Sequence, residues 1–193
     1  MEHAGFKGAV FDLDGVITQT AQVHFRAWKE TFDPILAEKK GEDAEPFTHA
    51  EDYVPYVDGK PRYQGVKSFL ESRDISLPFG DPSDEPSIDT VCAVGNRKNE
   101  RFRELVREQG VEVFESSMKL VDELRARSIP VAVASSSRNA TYIMEESGIR
   151  EKFGAIVDGN VSRELDLNGK PDPDIFLLAA ERIGTPPVET MMV

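Results

Sequence analysis

The sequence predicts an α/β fold with a parallel sheet and a helical insertion. Short apolar runs at residues 6–12, 129–134 and 155–157 lack the polar alternation of a half-exposed strand, which marks strands covered on both faces. Strands alternating with helical periodicity over 1–20 and 116–193 favour parallel pairing. The stretch 21–105 between them is almost purely helical, so the expected division is an α/β core of 1–20 with 106–193 and an insert of 21–105 after the first strand.

The elements follow in order. Gly15 lets the chain turn after the first strand. Thr20 is placed to cap a helix from Ala21 to Phe32, with Val23, Ala27 and Trp28 on one side, and Pro34 ends or kinks it. Residues 40–58 are acidic, with Pro46 and Pro55, and read as a surface loop; Gly59-Lys60-Pro61-Arg62 is a basic turn within it. Val66, Phe69 and Leu70 mark a helix. Residues 78–87 are a loop, and a charged helix runs from Ser87 to Glu108, stopping at Gly110. Met118, Val121 and Leu124 form one helical face. The run Ile129–Ala134 is a central strand ending in Ser135-Ser136-Ser137, followed by a helix over 139–146 that Gly148 closes. A helix opens at Lys170-Pro171-Asp172-Pro173 and ends at Gly184, and Thr190–Val193 reads as one more buried strand.

Composition excludes several classes of function. The 193 residues carry a net charge of −12, which disfavours nucleic acid and anionic membranes as partners. Cys92 is the only cysteine, which predicts a reducing, cytoplasmic setting. Lys7, Asp12 and Asp14 interrupt residues 1–20, so no signal peptide is expected. A monomer is expected.

The chemistry concentrates where predicted strands end. Asp12 and Asp14, one residue apart, leave the first strand on the same side. Converging carboxylates call for a hard cation such as Mg²⁺ or a division into acid and base. A carboxylate can also attack phosphorus. The bland alternative is an Asp-Gly surface turn; an EF-hand loop fits poorly because the glycine comes too early. Ser135 offers a hydroxyl at a helix start, suited either to phosphate or to simple capping. Lys170 suits phosphate neutralisation or an ordinary surface position. In the insert, Arg62 and Lys98 are candidate phosphate or hydroxyl ligands set against surface cations of the ordinary kind. His24 and Trp28, four residues apart, either line a pocket mouth or pack together.

The segments Phe11–Ile17 and His24–Lys29, then Val133–Asn139 and Gly169–Phe176, resemble the haloacid dehalogenase superfamily, subfamily I, in its β-phosphoglucomutase-like branch. The insert is similar too, through Gly59–Arg62 and Arg97-Lys98-Asn99. The resemblance implies a Rossmann-like three-layer core with a helical cap and Mg²⁺-dependent phosphoryl transfer. Asp12 would be the nucleophile and Asp14 the general acid/base, both facing the metal. Ser135 and Lys170 would hold the transferring phosphate. Gly15, His24, Trp28, Ser136 and Asn139 would contact the substrate, and Arg62 and Lys98 its distal phosphate. Gln19 stands where the branch's mutases usually carry aspartate, and the loops at 40–58 and 74–87 look more like those of its hydrolases. The family continues past its last strand into an acidic pair; this sequence reaches Val193 where that pair would begin, which implies a core missing its C-terminal part and a metal site short of carboxylates.

The expected function is Mg²⁺-dependent phosphoryl transfer on a small sugar phosphate through an aspartyl phosphate, with a phosphatase favoured. The alternatives are a β-phosphoglucomutase interconverting β-glucose 1-phosphate and glucose 6-phosphate, and a catalytically deficient fragment that only binds phosphate.

Overall fold

The computed structural model describes residues 5–41 and 44–193. The chain divides into two compact units, one holding the residues up to Ala21 and Gly110–Val193, the other Gln22–Gln109. The acidic stretch predicted as a loop over 40–58 includes residues 42–43, and the first segment of the core includes residues 1–4; these lie outside the described residues.

The first unit is a Rossmann-like α/β fold. Its strands are β1 (Gly8–Phe11), β2 (Val131–Ala134), β3 (Ala155–Val157) and β4 (Thr190–Met192). Among the described residues they form one parallel sheet of order β3-β2-β1-β4. Residues Val10, Ala132, Ala134, Ala155 and Val157 cluster with Ile175, Ala179 and Ala180 of α8 (Asp174–Arg182). The alternate residues Ala9, Phe11, Val131, Val133 and Ile156 are buried too and point the other way, so both sheet faces are covered. Gly8 lets the sheet approach the α8–β4 connection: a Cβ there would meet the Thr185 hydroxyl at 2.6 Å. The other α-helices among the described residues of this unit are α5 (Glu115–Ala126), α6 (Ala140–Glu146) and α7 (Gly159–Glu164); the short α7 is not expected from the sequence. Among the described residues β4 lies at the sheet edge and is half-exposed, where burial is expected from the sequence. Its ladder reaches Val193, whose carbonyl accepts the Asp12 amide at 2.9 Å. Thr18 forms an antiparallel bridge with Val113, flanked by Gln19 N–H to Glu112 C=O and Phe114 N–H to Ile17 C=O, both 2.9 Å.

The second unit is helical: α1 (Ala21–Lys40, entered from the first unit), a π-helical turn at His49–Tyr53 leading into α2 (Val54–Tyr56), α3 (Arg62–Ser72) and α4 (Val91–Gln109). Three expectations need correcting. Helix α1 does not stop near Phe32 but runs through Pro34, because Ile35 and Leu36 on its next turn are buried in the same cluster as Trp28 and Phe32. The predicted loop before Gly59 contains α2 and its π turn, held by buried Asp52, which accepts from Thr48 N at 2.8 Å and Arg73 Nη2 at 2.7 Å. Helix α4 begins at Val91 instead of Ser87, since the Thr90 hydroxyl accepts the Ala93 amide at 3.0 Å and donates to Asp84 at 2.6 Å. No helix among the described residues is long and apolar enough to cross a membrane.

At the centre of this unit, Phe69 packs its ring 4.2 Å from Phe32 and 4.8 Å from Phe47, centroid to centroid. Phe69→Ala leaves a cavity among rings that cannot collapse together, and urea denaturation is expected to read a loss of about 3–5 kcal/mol.

Candidate active site

The first cluster is built by strand register. Phe11 of β1 lies opposite Val133 of β2, so Asp12 and Asp14 emerge beside Ser135. Gly15 turns the chain with φ 81, and its amide bonds to the Thr18 carbonyl at 2.9 Å. Asp12 Oδ1 accepts the Leu13 amide at 2.7 Å, and Asp12 Oδ2 accepts Lys170 Nζ at 2.6 Å. Lys170 also lies 5.1 Å from the centre of the Phe176 ring. Asp14 Oδ1 accepts the Thr20 hydroxyl, and Asp14 Oδ2 faces the Ser135 hydroxyl at 3.5 Å.

The two carboxylates stand in different electrostatic conditions. Burial raises the Asp14 pKa above the ordinary carboxylate value, and the Asp12 charge adds to the rise; Thr20, Lys170 and Ser135 oppose it. Asp12 instead has an ammonium group on one oxygen. Ser135 is buried beside Asp14, and its hydroxyl accepts the Ser137 amide at 3.1 Å in the turn before α6; it does not cap that helix, which starts at Ala140 after Asn139. Ser136 is exposed, and Asn139 is buried at the start of α6.

The second cluster lies within the helical unit. Lys98, on α4, is 5 % exposed, and its Nζ lies 2.8 Å from His24 Nδ1 on α1. An ammonium only donates, so Nδ1 accepts and the imidazole is neutral, carrying its hydrogen on Nε2. Lys98 Nζ also sits 4.8 Å from the Trp28 ring centre and 4.9 Å from that of Phe102, while His24 stacks on Phe102 at 4.2 Å. Trp28 is itself buried, packed flat on Phe32 at 5.1 Å. At the start of α3, Arg62 Nη2 donates to Asn99 Oδ1 at 2.7 Å. The sequence-predicted residues thus form two groups: Asp12, Asp14, Gly15, Ser135, Ser136, Asn139 and Lys170 belong to the first unit, and His24, Trp28, Arg62 and Lys98 to the second. Thr20 escaped the sequence reading as a partner of Asp14; its signal was a hydroxyl six residues after that carboxylate, which was assigned to helix capping.

Asp12 and Asp14 offer hard oxygen donors of the kind Mg²⁺ takes, and Mg²⁺ commonly uses one or two carboxylates plus water and phosphate oxygens. The fit extends to these two alone: among the described residues no group of three or more His, Cys, Asp or Glu side chains is arranged to hold a metal ion.

Fold and site together define a parallel α/β enzyme core with carboxylates at a strand end. The family model of the haloacid dehalogenase-like hydrolases matches residues 6–193. The β-phosphoglucomutase of Mycobacterium bovis is 45% identical over 184 residues, covering 94% of this chain and 70% of that protein. That of Bacillus subtilis is 34% identical, covering 95% and 72%. The crystal structure of Clostridium difficile β-phosphoglucomutase superimposes with a TM-score of 0.70 at 26% identity, covering 97% of this chain and 75% of that one. The chain belongs to the haloacid dehalogenase-like hydrolases, and it is an enzyme.

Burial, with Lys98 and Arg62 adding to it, holds the His24 pKa well below the ordinary imidazole value of 6.5. An unfolded chain therefore binds a proton that the folded one refuses, so the His24 contribution to stability is intact above that value and is lost as pH falls below it. Urea denaturation from pH 7.5 to 5 is expected to show wild type losing stability relative to His24→Asn by up to about 1.4 kcal/mol per pH unit below 6.5.

Proposed function

We propose that this chain transfers a phosphoryl group on a small sugar phosphate through an aspartyl phosphate on Asp12. The observation that carries the reading is the unequal treatment of the two strand-end carboxylates: Asp12 is paired with Lys170, whereas burial shifts Asp14 toward its protonated form. In the first step, an Asp12 oxygen attacks phosphorus, the bond to the leaving sugar oxygen breaks, and Asp14 gives that oxygen its proton. In the second, Asp14 takes the proton of an incoming hydroxyl as that oxygen attacks the aspartyl phosphate, which frees Asp12. Lys170 and the Ser135 hydroxyl hold the phosphoryl oxygens, and Gly15, Ser136 and Asn139 shape the surroundings of the substrate. In the helical unit, which we read as the cap, Arg62 and Lys98 are the cations offered to anionic or hydroxyl groups, with His24 and Trp28 fixing Lys98. Mg²⁺, held by Asp12 and the Asp14 carbonyl, would supply positive charge against the phosphate.

The incoming hydroxyl distinguishes two readings. Identity to β-phosphoglucomutases favours a sugar hydroxyl and hence isomerisation of a hexose phosphate. Gln19, in place of the aspartate usual in mutases, favours water and hence a phosphatase. With ³²P-labelled β-glucose 1-phosphate and Mg²⁺, isomerisation delivers the label to glucose 6-phosphate and hydrolysis delivers it to inorganic phosphate. Asp12→Asn is expected to lower either rate by at least about 10³-fold and to abolish the acid-stable, hydroxylamine-labile protein phosphate, with the circular dichroism spectrum unchanged. Turnover of that variant near the wild-type rate would remove Asp12 as the nucleophile.

A further inference from the structure

The loop Ser135–Asn139 is gripped from behind by residues that the proposed reaction does not use. Ser135 N–H donates to the Val157 carbonyl at 2.9 Å, Gly159 N–H to the Ser137 carbonyl at 3.1 Å, and Asn160 Nδ2 to the Arg138 carbonyl at 2.9 Å. Three of the four residues from the end of β3 into α7 therefore hold the loop. Gly159 fits so closely that an added Cβ would lie 2.5 Å from the Ser136 carbonyl oxygen and 3.0 Å from the Arg138 nitrogen. Asp158, 4 % exposed, fixes this segment: Oδ1 accepts Asn160 N at 2.9 Å and Val161 N at 3.0 Å, and Oδ2 accepts the Thr141 hydroxyl of α6 at 2.9 Å.

Peptide planarity converts this grip into orientation. In a trans peptide the carbonyl and the next amide point in opposite directions. The carbonyls of Ser136, Ser137 and Arg138 are at the Gly159–Asn160 side, so the amides of the same peptide planes turn away from it. Two of those amides show the result: Ser137 N donates to Ser135 Oγ at 3.1 Å, and Asn139 N to Ser137 Oγ at 3.2 Å. We propose that Asp158 and Gly159 are positioning residues that set the Ser135 hydroxyl for phosphate through the Ser137 amide that it accepts. The inference rests on the reading of Ser135 as a phosphate-holding residue.

The test compares wild type with Gly159→Ala, Asp158→Ala and Asp158→Asn in two measurements: amide hydrogen exchange by NMR, and binding of inorganic phosphate in the presence of Mg²⁺ by calorimetry. Gly159→Ala and Asp158→Ala are expected to speed Ser137 exchange roughly tenfold and to weaken phosphate binding roughly tenfold, while Val10 and Ala132 in the central strands exchange as in wild type. Asp158→Asn keeps an acceptor for the α7 amides and is expected to restore both within about twofold. Thr141→Val, a milder cut in the same network, moves both quantities in the same direction and serves if Gly159→Ala does not fold. Unaltered Ser137 exchange in Gly159→Ala overturns the proposal, as does faster exchange with unaltered phosphate affinity. A wild-type chain that binds no phosphate overturns the functional reading beneath it; the exchange rates, measured without phosphate, tell that failure from failure of the clamp.

Discussion

Two carboxylates one residue apart at the end of a buried strand repel each other, and the α/β unit is arranged to manage that repulsion. Each acid receives its own partners: an ammonium from the loop before α8 for Asp12, and hydroxyls from Thr20 and Ser135 for Asp14. Thr20 is local, but Ser135 and Lys170 lie more than a hundred residues away, so those two partners depend on the pairing of β1 with β2 and on the packing of α8 against them. The outcome is asymmetry. Asp12 is paired with an ammonium, and burial biases Asp14 toward carrying a proton.

The helical unit faces a parallel difficulty with one buried cation. Lys98 cannot be solvated where it sits, and α1 answers with a neutral imidazole nitrogen and the face of Trp28. Burial is the main reason the His24 ring titrates low, and a protonated ring would also place a second positive charge against Lys98. The Phe102 ring, stacked on the imidazole and close to the ammonium, closes the arrangement from α4 itself.

Much of this was readable from residues alone where local chemistry and tertiary context agree. The apolar runs before Asp12 and Ser135 became central strands, and Gly110, Gly148 and Gly184 adopt the positive φ expected of residues that end helices. The failures have particular physical causes. Pro34 argued for a helix end, but burial of Ile35 and Leu36 outweighs one lost backbone hydrogen bond. Helix α7 carries no apolar periodicity over its six residues and depends on Asp158 for its start, a capping signal too short to stand out. The edge position of β4 depends on sheet order, which strand composition does not encode. Thr20 was assigned to the helix it precedes, whereas its hydroxyl belongs to Asp14, a choice that only the turn at Gly15 makes possible.

The small ladder formed by Ile17, Thr18 and Gln19 against Glu112, Val113 and Phe114 has a wider consequence. It staples together, inside the α/β unit, the strand of chain that departs and the one that comes back. The whole helical unit is thereby spliced between two points already side by side, like a long loop on a hairpin. Such a joint closes on itself within the core, so its hydrogen bonds do not depend on how many residues run between Gln19 and Glu112, and each doubling of that span costs only about 0.6 kcal/mol in closure entropy.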